Sequence, residues 1–168
     1  ALLKTLEEPG KATIILMAPS SDAILPTLVS RCQKIPFDRL NADSMAQVLQ
    51  KTGHAEILAN SQILALAQGS PGAAINHWQK LESIAPELLE SLTQMPNSLR
   101  EALTMAKAIA KTLDGETQLW LVDYLQQVFW QQARGVKALK ALEKAKEFLL
   151  AYVQPQLVWE VTLMGMIG

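Results

Sequence analysis

Along most of this chain apolar residues recur at the three- and four-residue spacing of a helix face, and only near the start do they bunch into a continuous run. That run, Ala12-Thr13-Ile14-Ile15-Leu16-Met17-Ala18, is rich in β-branched residues. Gly10 bounds it on one side and Pro19-Ser20-Ser21-Asp22 on the other, so it predicts a fully buried strand. Ahead of it Ala1 to Glu8 is helical in pattern, with Leu2, Leu3 and Leu6 on one face and Pro9 as the stop. Behind it an apolar segment with Ile24, Leu25, Leu28 and Val29 leads through Arg31 into a second extended stretch, Gln33-Lys34-Ile35-Pro36-Phe37.

Beyond Phe37 the helical period takes over. Leu40-Asn41-Ala42-Asp43-Ser44 supplies capping side chains for a helix from about Ala42 to Lys51, with Met45, Val48 and Leu49 at helical spacing and Gly53 past its end. Short helical pieces follow at Ala55–Ala59 and at Ser61–Ala67. Gly69-Ser70-Pro71-Gly72 then breaks the chain before a helix through Ala73, Ala74, Ile75, Trp78 and Leu81, with Pro71 suited to the first turn. These short helices predict a small three-helix lid.

From about Ala85 the pattern predicts five more helices. Pro86 to Leu92 is the first, and Ser98 caps the second, which turns Leu99, Leu103, Ala106 and Ile109 to one side. Asp114-Gly115 is its expected end. Glu116 to Arg134 is the third, apolar at Leu119, Leu121, Val122, Leu125, Val128 and Phe129, with Trp120, Tyr124 and Trp130 as large amphipathic side chains. Val136 to Val153 is the fourth, with Val136, Leu139, Leu142, Leu149 and Val153 inward and Lys137, Lys140, Lys144 and Glu147 outward. The last starts at Pro155 and carries Leu157, Val158, Val161 and Met164. The apolar faces of the last three helices are wide, and they carry Trp120, Trp130 and Trp159, so part of this surface is expected to be a subunit contact, or a site of self-association in isolation.

Composition narrows the function classes. The chain has 168 residues, 49% of them hydrophobic, enough for one or two packed domains. Fifteen Lys and Arg stand against 16 Asp and Glu, and a net charge of −1 is no footprint for a strong stand-alone nucleic-acid binder. A single cysteine excludes an internal disulfide framework and a cysteine-rich zinc site; Cys32 reads as a small buried residue. His54 and His77 have no thiol or carboxylate at ligand spacing and read as surface or packing histidines, so no metal is expected. No uninterrupted apolar run reaches spanning length and no leader pattern opens the chain, which leaves no membrane and the cytoplasm as the expectation.

One cation stands apart. Arg31 sits where a helix or strand ends, and from spacing alone it is either a structural ion-pair partner or a planar fork aimed at a phosphate or carboxylate. The residues around it carry a resemblance. Ala1-Leu2-Leu3-Lys4-Thr5-Leu6-Glu7-Glu8-Pro9, then the apolar run, then Leu25-Pro26-Thr27-Leu28-Val29-Ser30-Arg31-Cys32-Gln33, resembles the second half of the AAA+ ATPase core of bacterial DNA polymerase III clamp-loader subunits. The resemblance implies that Arg31, between its motif neighbours Ser30 and Cys32, is an arginine finger acting in trans on ATP held by a neighbouring subunit. It also implies a weak γ-phosphate-sensing position at Ser20 or Ser21, where Pro19 departs from the family wording.

The Gly69-Ser70-Pro71-Gly72-Ala73-Ala74 stretch separates two branches of that family. Hydrolysing subunits carry a phosphate-sensing arginine on the helix that opens there; this chain has alanines, and no arginine between Arg39 and Arg100. The wording is similar to the delta-prime branch, which implies a rigid, non-hydrolysing member, since a missing cation removes stabilisation that hydrolysis needs. A glycine-rich phosphate loop and an acidic strand end for magnesium do not occur in these residues. The chain, which opens on Ala1 within a helical pattern, is therefore expected to be a piece of a longer protein, without cofactor or activity of its own, with ATP and Mg bound by neighbouring subunits.

The expected architecture is mostly α: residues 1–38 as the end of an AAA+ α/β core with one or two strands, 39–84 as a helical lid, and 85–168 as a five-helix collar bundle. Val153-Gln154-Pro155-Gln156-Leu157-Val158-Trp159-Glu160 is loosely similar to the family's C-terminal collar helix. The implied partners are gamma/tau-type and delta-type subunits in a ring of five, with the sliding clamp and primer-template DNA reached through the DNA polymerase III complex. The competing expectation is a piece of an ATP-hydrolysing gamma/tau-type or other AAA+ motor subunit.

Overall fold

The structure, a computed structural model, describes residues 11–133 and 135–167. The expected helix over Ala1–Glu8 and the expected helix end at Arg134 fall outside them. The described residues up to Asp38 make one compact unit, and Arg39 onward makes a second.

In the first unit a single 3₁₀ turn, Ser21–Ala23, is followed by a four-residue helix α1, Pro26–Val29. The expected buried strand over residues 12–18 is not formed: no strand occurs among the described residues, and Ile15 and Met17 are 80% and 93% exposed. A strand exists only through the ladder of a neighbour that satisfies its N–H and C=O groups, and no described segment pairs with this one. The stretch 33–37 is likewise unpaired and outward, with Ile35 and Phe37 exposed, and Cys32 is half-buried rather than buried.

The second unit is helical. α2 (Ala42–Lys51), a 3₁₀ segment Ala55–Ala59, α3 (Ser61–Ala67) and α4 (Pro71–Glu82) precede α5 (Pro86–Gln94), α6 (Leu99–Thr112), α7 (Gly115–Gln131), α8 (Val136–Leu150) and α9 (Pro155–Met166). The mostly α expectation holds, with the five helices of the bundle.

Local chemistry starts most of these helices. Each helix leaves its first N–H groups without an internal partner, and a side-chain oxygen just outside satisfies one. Asn41 Oδ1 accepts from Ser44 N–H at 2.8 Å, Asn60 Oδ1 from Ile63 N–H at 3.0 Å, and Ser70 Oγ from Ala73 N–H at 3.3 Å. Ser98 Oγ accepts from Glu101 N–H at 3.2 Å while Glu101 Oε2 reaches back to Asn97 N–H at 2.9 Å. Asp114 Oδ1 accepts from Thr117 N–H at 2.7 Å, so Asp114-Gly115 opens α7 rather than closing α6.

α9 packs on both α6 and α8, α7 packs on α8, and α3 packs on α4 and α7, so the short helices and the bundle share one core. Its largest fully buried side chains include Trp159, Phe129, Leu121, Leu125 and Leu142. Two buried polar groups are both satisfied. Gln118 Nε2 donates to Leu113 O at 2.8 Å and its Oε1 accepts from Trp159 Nε1 at 2.9 Å, while Thr162 Oγ1 donates to Val158 O at 2.7 Å.

The core uses a different flank of several helices from the one expected. α6 buries Ala102, Met105, Ala106 and Ile109 and leaves Leu99 and Leu103 outside. α8 ends at Leu150, short of the expected Val153, and buries Ala138, Leu142 and Ala145, with Val136 outward; α9 buries Val158, Trp159, Thr162, Leu163 and Met166, with Leu157 and Val161 outward. In α6 and α8 the buried flank is the one that carries the alanines, Ala102, Ala106, Ala138 and Ala145, and small side chains there leave room for the neighbouring helix.

Candidate functional site

The turn that carries Arg31 begins at Pro26, whose fixed φ suits the first residue of α1. Four residues later the helix is over. Ser30 N–H donates to Pro26 O at 2.9 Å and Arg31 N–H to Leu28 O at 3.1 Å, so the next backbone donors bypass the carbonyl of Thr27. Two side chains take it instead: Ser30 Oγ donates at 3.1 Å and Arg31 Nη1 at 2.9 Å. Arg31 and Ser30 are both exposed, and the guanidinium lies back over its own turn.

Beside this turn is an open cavity of about 540 Å³ lined by Ser21, Asp22, Ile24, Pro26, Val29, Ser30 and Lys34. Ser21 and Ser30 both line it. Ser20 is not in its lining; it is exposed and precedes the 3₁₀ turn without a side-chain capping bond. Among the described residues no group of three or more His, Cys, Asp or Glu is placed to hold a metal ion.

The Gly69–Ala74 element lies in the second unit. Gln68 ends α3 at φ 48° and Gly69 follows at φ 81°. Leu40 N–H donates to Gly69 O at 2.9 Å, and a Cβ on residue 69 would stand 2.5 Å from Leu40 O, so glycine is required by both conformation and space. Arg39 Nη1 donates to Gln68 O at 3.1 Å and also to Gln68 Oε1. Periodicity gave no signal for this clamp, because it joins residues 29 apart in sequence. Of the two alanines at the start of this helix, Ala74 is fully buried and Ala73 half-buried.

His77 proves to be a packing histidine at the joint between α4 and α7. Trp120 Nε1 donates to His77 Nδ1 at 2.9 Å, and the rings of His77, Trp120 and Tyr124 stack in series with centroids 6.3 and 5.3 Å apart. Burial, then the nearby Lys80 ammonium, pushes the imidazole pKa down; a hydrogen bond to the Leu66 backbone and the Asp123 charge oppose the shift. Burial raises the Tyr124 phenol, against a hydrogen bond with the Asn60 side chain. Lys80 to Glu116 and Lys146 to Asp123, both at 2.6 Å, tie α4 to α7 and α8 to α7.

By fold, then, the chain is a mostly helical domain closed by a five-helix bundle, with a separate arginine-bearing turn. More particularly, it belongs to the family described as the cyanobacterial DNA polymerase III delta prime C-terminal domain, whose model matches residues 43–166. The family model for the DNA polymerase III delta subunit matches residues 1–41. Over 59 residues the chain is 39% identical to DNA polymerase III subunit tau of Bacillus subtilis (strain 168), a stretch covering 34% of this chain and 10% of that protein. No solved structure matches the chain.

Proposed function

We propose that this chain acts as the non-hydrolysing, delta-prime-type subunit of a cytoplasmic DNA polymerase III clamp loader. Its bundle holds the ring of subunits together, and Arg31 is offered to ATP and Mg bound by a neighbouring subunit. The observation that carries the non-hydrolysing part is the start of α4: Ala74 is fully buried and the Ser70-Pro71-Gly72-Ala73 turn before it holds no cation. Family membership over residues 43–166 supports the subunit type. Apolar side chains left outside the core, with Trp130 71% exposed and Leu99, Val136, Leu157 and Val161 also outward, support a role in assembly.

In this reading the gamma/tau-type and delta-type subunits are the direct partners, and the sliding clamp and primer-template DNA are reached through the complex. A guanidinium placed against the transferring phosphoryl group stabilises the charge on its oxygens during attack by water, without any chemistry at the arginine itself. A second reading, part of an ATP-hydrolysing subunit, draws support from the 39% identity to subunit tau over 59 residues.

DNA-stimulated ATP hydrolysis by the assembled clamp loader tests this. Arg31→Ala should leave assembly intact and lower hydrolysis by up to about 10³-fold, and Arg31→Lys should restore little, because lysine keeps the charge and loses the fork. Unchanged hydrolysis in an intact ring would make Arg31 a structural cation and reduce the function to scaffolding. Hydrolysis by the complete protein without its partners would favour the second reading.

A further inference from the structure

The turn around Arg31 contains a feature that the finger assignment alone does not use. Thr27 O, bypassed by the next two backbone N–H groups, is shared by two side-chain donors, Ser30 Oγ at 3.1 Å and Arg31 Nη1 at 2.9 Å. A carbonyl oxygen has two lone pairs and can hold both donors at once. We infer that Ser30 is a positioning residue for Arg31: its hydroxyl keeps the Thr27 carbonyl capped when the guanidinium turns from that carbonyl toward a phosphate. The inference rests on the finger reading of Arg31.

The physical argument compares the turn with and without the hydroxyl. With Ser30 in place, Arg31 Nη1 leaves an acceptor that retains a protein donor, and the end of α1 keeps its shape. With alanine, the guanidinium becomes the only side-chain cap this carbonyl has among the contacts described, and outward rotation takes that cap away. The carbonyl must then recruit water, and the turn after Val29 keeps its backbone bonds but loses its side-chain cap. Ser30 therefore shifts the balance between the inward and outward positions of Arg31 without touching a nucleotide. Pro26 contributes by fixing the opposite end of the same turn, four residues before the serine.

The test uses the assembled clamp loader carrying the complete protein, with Ser30→Ala, Ser30→Thr and Arg31→Ala compared by steady-state ATP hydrolysis at matched assembly. Ser30→Ala is expected to lower kcat by about two- to tenfold, the range of one neutral hydrogen bond, while KM for ATP stays unchanged. Ser30→Thr, which keeps the hydroxyl, is expected to recover most of the rate. A merely structural serine would move assembly or KM as well, and threonine would not specifically restore kcat. Wild-type kcat in Ser30→Ala alongside a severe loss in Arg31→Ala overturns the inference and leaves the finger reading standing. No loss in Arg31→Ala removes both.

Discussion

The indole N–H of Trp120 on α7 donates to Nδ1 of His77 on α4 at 2.9 Å, which requires that nitrogen to be unprotonated. The bond ties the last of the short helices to the bundle, and it sets an acid limit on their union. Because burial and Lys80 depress the imidazole pKa below 6.5, the folded chain binds protons at His77 less readily than the unfolded chain does. Stability from this site is therefore fully present above the unfolded value of about 6.5 and is lost as the pH falls from there through the lower folded value. Urea midpoints at pH 7.5 and pH 5 should differ more for wild type than for His77→Gln. Equal differences would dissociate His77 from the acid sensitivity.

Gln118 and Trp159 form a cross-helix polar pair inside the core, at 2.9 Å and fully enclosed. Gln118→Leu strands both the indole N–H and the Leu113 carbonyl, and it should cost about 1–3 kcal/mol of unfolding free energy. Trp159→Phe removes the other partner. The double variant should be less destabilised than the sum of the two, and strict additivity in chemical unfolding would show that the pair is not coupled.

Two glycines on either side of Ser70-Pro71 should respond oppositely to alanine. Gly69→Ala places a Cβ at positive φ and 2.5 Å from Leu40 O, and it should cost at least about 1–2 kcal/mol. Gly72→Ala meets nothing within 4 Å in the first turn of α4, and it should be neutral or stabilising by up to about 1 kcal/mol. Thermal unfolding of the two variants side by side decides it, and an equal loss in both would refute the close approach at Leu40.

The bundle tryptophans divide by role. Trp159→Ala should destabilise by about 3–5 kcal/mol, because its ring lies wholly in the core. Trp130→Ala, on an exposed ring, should shift unfolding by no more than about 0.5 kcal/mol and instead weaken association with neighbouring subunits, read by analytical sedimentation. Intact assembly in Trp130→Ala would place the contact elsewhere on the bundle.

The sequence by itself determined the helices of the second unit and most of their ends. Those ends rest on local hydrogen bonds, from Asn41, Asn60, Ser70 and Ser98 to N–H groups three residues on, and such bonds need no tertiary partner. It also carried the alanines at the start of α4. Tertiary structure decided what depends on neighbours. An apolar run such as 12–18 becomes a strand only where a ladder partner exists, and none is present among the described residues. An apolar stripe wider than its contact leaves open which flank is buried, and packing put Ala102, Ala106, Ala138 and Ala145 inside and Leu99, Leu103, Val136 and Val161 outside. The Arg39 clamp on Gln68, the Trp120 to His77 bond and the Gln118 to Trp159 bond join residues 29, 43 and 41 positions apart. No local spacing encodes such pairs, because folding alone brings them into reach.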